Sequence, residues 1–168
     1  MRKLVSYFSL MLSYLFWIIP RQVNVALSWI LAFLWVDVLR IRRNVVLSNI
    51  EKAFPGTSEV TKLKWMRFSL FVLVKNLFDL FQVPFVTEKW VKKNVVFHGI
   101  EDASQYEGGV LFLTLHMASA DLACASISHS MKPLSLISKH FSNPIMDEFW
   151  FSIRRRSKTQ FIDAHGKS

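Results

Sequence analysis

A single cysteine, Cys124, in 168 residues leaves no partner for an internal disulfide and excludes a cysteine-based zinc site. The chain has no zinc-finger spacing, no low-complexity run, no internal repeat and no basic tail. Acids are scarce: 12 Asp and Glu stand against 21 Lys and Arg, for a formal net charge of +9. That excess is spread evenly along the chain, which argues against nucleic acid, whose binders gather charge on one patch or tail. Apolar residues, in contrast, are plentiful. Hydrophobic types make up 52% of the chain, with 15 Phe and 6 Trp, too many for a disordered polypeptide. A mean hydropathy of +0.28 combined with a pI near 9.9 points to an anionic membrane surface.

The apolar residues pile up at the front. Leu4 to Ile19 is an uncharged run behind Arg2-Lys3, shorter than the ~20 residues of a perpendicular span. Pro20-Arg21 interrupts it. A second run, Val23 to Leu39, carries Asn24 and Asp37 and is closed by Arg40, Arg42 and Arg43. No A-x-A cleavage site follows, and basic residues flank both sides. This fits a cytoplasmic interfacial or hairpin anchor better than a translocated chain. Val45, Val46, Ile50 and Phe54 give a helical stripe that stops at Pro55-Gly56. Thr57-Ser58 is placed to cap a further helix reaching about Gln82, apolar almost all round.

After Pro84 the periodicity changes. Strands are expected over 94–98, 110–115, 134–138 and 159–163. Between them lie helices over 100–106, 119–130 and from Asn143-Pro144 to about Arg156, the last opened by an Asn cap and Pro in the first turn. Val110 to Leu115 has the length and composition of a strand covered on both faces. The expected architecture is α/β: N-terminal hydrophobic helices, then a mostly parallel sheet with flanking helices. Three segments follow: a membrane anchor over 1–43, a helical membrane-proximal segment over 44–93, and the first part of an α/β domain over 94–168.

Candidate chemistry centres on His116 and Asp121, in His-Met-Ala-Ser-Ala-Asp directly after the expected strand 110–115. The carboxyl ends of strands in open α/β sheets are where ligands bind. A helical first turn would bring the two side chains together, and a carboxylate on one imidazole nitrogen strengthens the other as a base. The residues alone leave His116 open between general base and satisfied core histidine. Ser119 reads as the N-cap of the next helix rather than a nucleophile. Cys124 reads as an inert small hydrophobe. Arg154, Arg155 and Arg156 fit either the negative end of a helix dipole or a phosphate clamp, and Lys139 is placed for a weaker phosphate contact.

Several segments together resemble the late acyltransferases of lipid A biosynthesis, a group that extends to phosphatidylinositol mannoside acyltransferases. Arg42-Arg43-Asn44, Asn49-Ile50 and Ala53-Phe54-Pro55 resemble the family's basic pair, Asn-Leu and Phe-Pro pattern behind its anchor. Gly99-Ile100-Glu101, Gly108-Gly109 and Val110 to His116 are similar to the segment leading to its active-site histidine. Lys139, Asn143-Pro144 and Arg154 resemble its basic residue, Asn-Pro and helix ending in arginine.

The resemblance implies a glycerolipid-acyltransferase-like fold, with His116 and Asp121 as the catalytic His-x4-acid pair and Arg154 or a neighbour near the site. It implies an acyl carrier protein or acyl-coenzyme A donor, a membrane glycolipid acceptor in lipopolysaccharide synthesis, and the cytoplasmic face of the bacterial inner membrane. No nucleic acid, metal or redox cofactor is implied. Ala118, Ser119, Ala120 and Asp121 stand where lipid A members usually carry Gly-Asn-Trp-Glu, and Lys139 where arginine is common. The resemblance covers roughly the first half of the family, so the expectation is a truncated domain, marginally stable and with little transfer by itself. The alternative is an inactive paralogue that acts only as a membrane-bound or partner-binding protein.

Overall fold

The computed structural model describes residues 2–99, 103, 105–114, 118–131 and 133–164. The chain divides into two compact units, Met1–Ile18 with Asp79–Ser168, and Ile19–Phe78. These limits differ from the three segments expected from sequence.

The first unit opens with α1, Arg2–Ile18. A 3-10 turn at Val83–Phe85 leads to α5, Glu88–Asn94, whose N-cap Thr87 accepts the Trp90 amide. Then come α6 (Ala120–Ser130), β1 (Ser135–Ser138), α7 (Pro144–Arg154) and β2 (Gln160–Asp163). The strands pair in parallel, with Ser135 opposite Gln160 and Ser138 opposite Asp163. The core gathers Leu80, Phe81, Val83, Val86, Val91, Ala125 and Ile153, with Leu12, Phe16, Phe149 and Trp150 packed against it.

Helix α1 is not apolar all round in its packing. Ser9 and Ser13 are buried, and the Ser9 hydroxyl meets Ser152 of α7 at 2.5 Å. Small side chains let the two backbones approach. Phe16 stacks on Phe81 at 4.9 Å and Phe8 approaches Phe149 at 6.4 Å. Leu4, Tyr7, Met11 and Tyr14 stay exposed on other sides of α1. Among the described residues no single helix is long and apolar enough to cross a membrane.

The second unit contains α2 (Arg21–Phe33), which widens into a π-helical turn at Leu34–Val38, then α3 (Arg43–Ala53) and most of α4 (Glu59–Leu80). Asp37 interrupts the second apolar run because it forms a two-pronged ion pair with Arg67 of α4, at 2.5 and 2.8 Å. Lys62 is held by Glu51 and Glu59, and Trp29 stacks on Phe71 at 4.3 Å. Local signals act here as expected. Gly56 closes α3 with φ +78, in the left-handed region that favours glycine, and its amide donates to Glu51. The Ser58 hydroxyl accepts the Thr61 amide at the start of α4.

The sheet is smaller than expected. The protein is mostly helical, and β1 and β2 are the only strands among the described residues. Residues 95–98 form no ladder. Val95 is extended, and Val95 and Phe97 turn toward the core while Val96 is exposed. Period-two alternation therefore reports a half-buried extended segment, not a neighbouring strand. Residues 110–114 are likewise not part of a strand. Leu111 and Leu113 are 94% and 97% exposed, whereas Val110 and Phe112 are less so; the run has one open face instead of two covered ones. The helix expected over 100–106 lies largely outside the described residues.

The cap of α7 is as the sequence predicts. Asn143 Oδ1 accepts the amides of Ile145 (2.9 Å) and Met146 (3.2 Å). Asn143→Ala is expected to cost about 1 kcal/mol and Asn143→Ser much less, measured by urea unfolding in detergent. Equal losses in both variants would show that the cap is not the source.

Candidate functional site

Asp121 lies in the first turn of α6 and Arg154 ends α7. Two successive helices, from residues 33 apart, thus deliver one ion pair. Arg154 Nε is 2.7 Å from Asp121 Oδ1, and Nη2 donates to Oδ2 at 3.0 Å. Nη2 supplies the hydrogen bond, whereas Nε is within ion-pair distance without hydrogen-bond alignment; a planar guanidinium can present two nitrogens to one carboxylate, which lysine cannot. Its third nitrogen, Nη1, donates to Ser138 at the end of β1. The guanidinium carbon also lies 5.5 to 5.7 Å from the rings of Trp150, Phe151 and Phe161. Both charged side chains are largely covered, 14% exposed for Arg154 and 19% for Asp121, so the pair is much less screened than a surface one.

The remaining expected residues are placed differently. His116 lies outside the described residues, as do Leu115 and Met117 on either side of it. The three arginines do not converge. Arg155 pairs with Glu148 at 2.6 Å, Arg156 is exposed, and Lys139 is exposed just beyond β1. Every nitrogen of the Arg154 guanidinium faces a protein partner, so that residue holds Asp121 rather than offering itself to a phosphate.

Ser119 occupies the N-cap position of α6, but its hydroxyl caps nothing. It donates to Asp79, a buried carboxylate at the end of α4. The preceding residue, Ala118, has φ +49, a left-handed conformation uncommon for residues with a Cβ. Along the chain Asp79 is a charged residue in an otherwise largely apolar stretch, Phe68 to Phe81. A lone carboxylate in such a run was the one signal pointing to a buried polar contact. His140 has no carboxylate four residues on in the sequence. Its Nδ1 is 2.9 Å from Asp147, seven residues on, and its ring stacks on Phe151 at 4.3 Å. The Asn143-Pro144 turn folds the chain back, which a search at one helical spacing does not detect.

A cavity of about 500 Å³ opens beside this region, bounded by residues 108–112 and Thr114, by Ala123, Cys124 and Ile127 of α6, and by Leu134 and Leu136 at β1. Its lining is mostly apolar and it lies on the same helix as Asp121. Burial, then the nearby Asp121 charge, pushes the Cys124 thiol above its ordinary range. Such a thiol is a poor nucleophile at neutral pH.

At the other end of α6, His129 Nε2 is buried and has no hydrogen-bond partner among the described residues. Burial, helped by Lys158 and opposed by Glu88, lowers its pKa. The folded state therefore keeps His129 neutral at pH values where the unfolded chain, titrating near 6.5, takes up a proton. The melting temperature is expected to fall as pH drops below about 6.5, and His129→Gln to flatten that part of the curve. An unchanged slope in His129→Gln would rule this out.

Comparison with known proteins adds one match. The profile of the family described as bacterial lipid A biosynthesis acyltransferase matches residues 1–167. No curated protein and no solved structure matches the chain.

Proposed function

The chain belongs to the bacterial lipid A biosynthesis acyltransferase family, and from that premise we propose that it moves a fatty acyl chain from an acyl carrier protein or coenzyme A thioester to a hydroxyl of a membrane glycolipid. The acceptor is a lipid A precursor in lipopolysaccharide synthesis, met at the cytoplasmic face of the inner membrane. The observation that carries this reading is the family match over residues 1–167, with the Asp121–Arg154 pair supporting it at the His-x4-acid motif.

In the proposed step His116 takes the proton of the acceptor hydroxyl, and the oxygen attacks the thioester carbonyl. The tetrahedral intermediate collapses, the C–S bond breaks, and the thiolate recovers the proton from the imidazolium. Asp121 orients His116 and stabilises its charged form. A carboxylate has about four lone-pair sites, so the two contacts from Arg154 leave room for an imidazole N–H. Arg154 acts as a positioning residue, fixing the rotamer of Asp121. Amides at the start of α6, near Ala118, are placed to hold the oxyanion. The apolar cavity beside α6 is suited to an acyl chain.

A second reading, a membrane-bound protein that does not transfer, is favoured by the exposure of Leu111 and Leu113. The segment before the histidine then lacks the cover that rigid sites need. The test is transfer of radiolabelled acyl chains from acyl carrier protein thioester to tetra-acylated lipid A precursor by the full chain in mixed micelles. Labelled product supports the first reading. Its absence from a folded chain, with either donor, supports the second.

A further inference from the structure

The strongest feature outside the candidate site lies in the second unit, where Arg40, Arg42, Arg43, Asn44 and Val45 line a cavity of about 470 Å³. Three arginines bordering one space repel each other, and no ion pair among the described residues of the unit neutralises them. The nearest carboxylate, Asp37, is committed to both prongs of Arg67 and acts on Arg43 and Arg40 only at longer range. The turn that gathers them is well defined. Trp35 Nε1 donates to the Ile41 carbonyl and the Arg43 amide to the Arg40 carbonyl. Arg42 is also the N-cap residue of α3, with no side chain capping the helix, so the helix dipole adds to the positive field.

An independent observation says what kind of anion fits. Val45 lines the cavity beside the arginines, and the residues flanking them in the chain, Trp35, Val38, Leu39 and Ile41, are large apolar side chains left exposed. A free anion in water gains nothing from such a border. A lipid does, because its acyl chains cover the apolar side chains while its phosphate sits at the height of the guanidiniums. Arginine suits this role through its bidentate fork.

We propose that the Arg40–Val45 cavity is a binding site for the phosphate of an anionic membrane lipid. The site is separate from the transfer chemistry. It rests only on the interfacial placement proposed above.

The test is co-sedimentation of the full chain with phosphatidylcholine vesicles, with and without phosphatidylglycerol. The set comprises wild type, the Arg40→Gln/Arg42→Gln/Arg43→Gln triple, the corresponding triple Lys variant, and a charge-matched Lys52→Gln/Lys89→Gln/Lys93→Gln control. Wild type is expected to prefer the anionic vesicles. The Gln triple should lose about fivefold in partitioning for each guanidinium removed, and the control far less, because its lysines lie outside the cavity. The Lys triple, which keeps the charge and loses the fork, should fall between, and it holds if the Gln triple does not fold. Equal losses in the Gln triple and the control would overturn the site in favour of diffuse attraction. Full displacement of wild type by inorganic phosphate at matched ionic strength would assign the cavity to a free phosphate instead. If the chain ignores both vesicle types, the interfacial placement itself fails. Binding to neutral vesicles with an unaltered anionic preference in the Gln triple sinks this site alone.

Discussion

Arg154→Ala is expected to lower the unfolding free energy by about 3 kcal/mol, the largest stability effect of any single change at the site. The reason is the state in which it leaves Asp121. With the guanidinium gone, a carboxylate only 19% exposed loses both of its charged contacts and gains little water in return. The aromatic rings of Trp150, Phe151 and Phe161 lose the cation they surround as well. Arg154→Lys keeps the charge but supplies a single point in place of a fork, so it should recover only part of the loss. The double variant Arg154→Met/Asp121→Leu should be more stable than Arg154→Ala, because no charge is then left buried alone. Urea unfolding monitored by tryptophan fluorescence reads all three. A loss below about 1 kcal/mol in Arg154→Ala would place the pair among solvated surface ion pairs and remove Arg154 as the group that holds Asp121.

His116→Ala is expected to lower acyl transfer by about 10²- to 10⁴-fold, the usual worth of a positioned general base, with the melting temperature unchanged. Asp121→Asn should also lose much of the rate, since a neutral amide cannot stabilise an imidazolium. Asp121→Glu is the informative companion. It keeps the charge and restores the acid usual in the lipid A members, so it should retain more rate than the amide. Single-turnover measurements with a preformed acyl carrier protein thioester separate the chemical step from binding and release. Unchanged turnover in His116→Ala would remove the base mechanism whatever the family.

What could be read without the structure depended on the range of the interaction. The Asn143 cap of α7 and the Ser58 cap of α4 act within three residues, and the Pro55-Gly56 stop is equally local, so the sequence carried them in full. The strands at 135–138 and 160–163 were legible as short runs between turn signals, and the His-x4-acid motif was legible by its family context. The tertiary structure decided everything that joins distant segments. Asp121 meets Arg154 across 33 residues and Asp37 meets Arg67 across 30; read along the chain, Arg154 fits a helix-dipole complement or a phosphate clamp equally, and Asp37 is only a break in an apolar run. Helix α1 looked uniformly apolar, yet its serines fit against α7, because steric fit depends on the facing surface and not on hydropathy. Val110 to Thr114 had the composition of a central strand, but composition supplies only side chains. A strand also needs backbone donors and acceptors beside it, and those are fixed by where the rest of the fold places its neighbours.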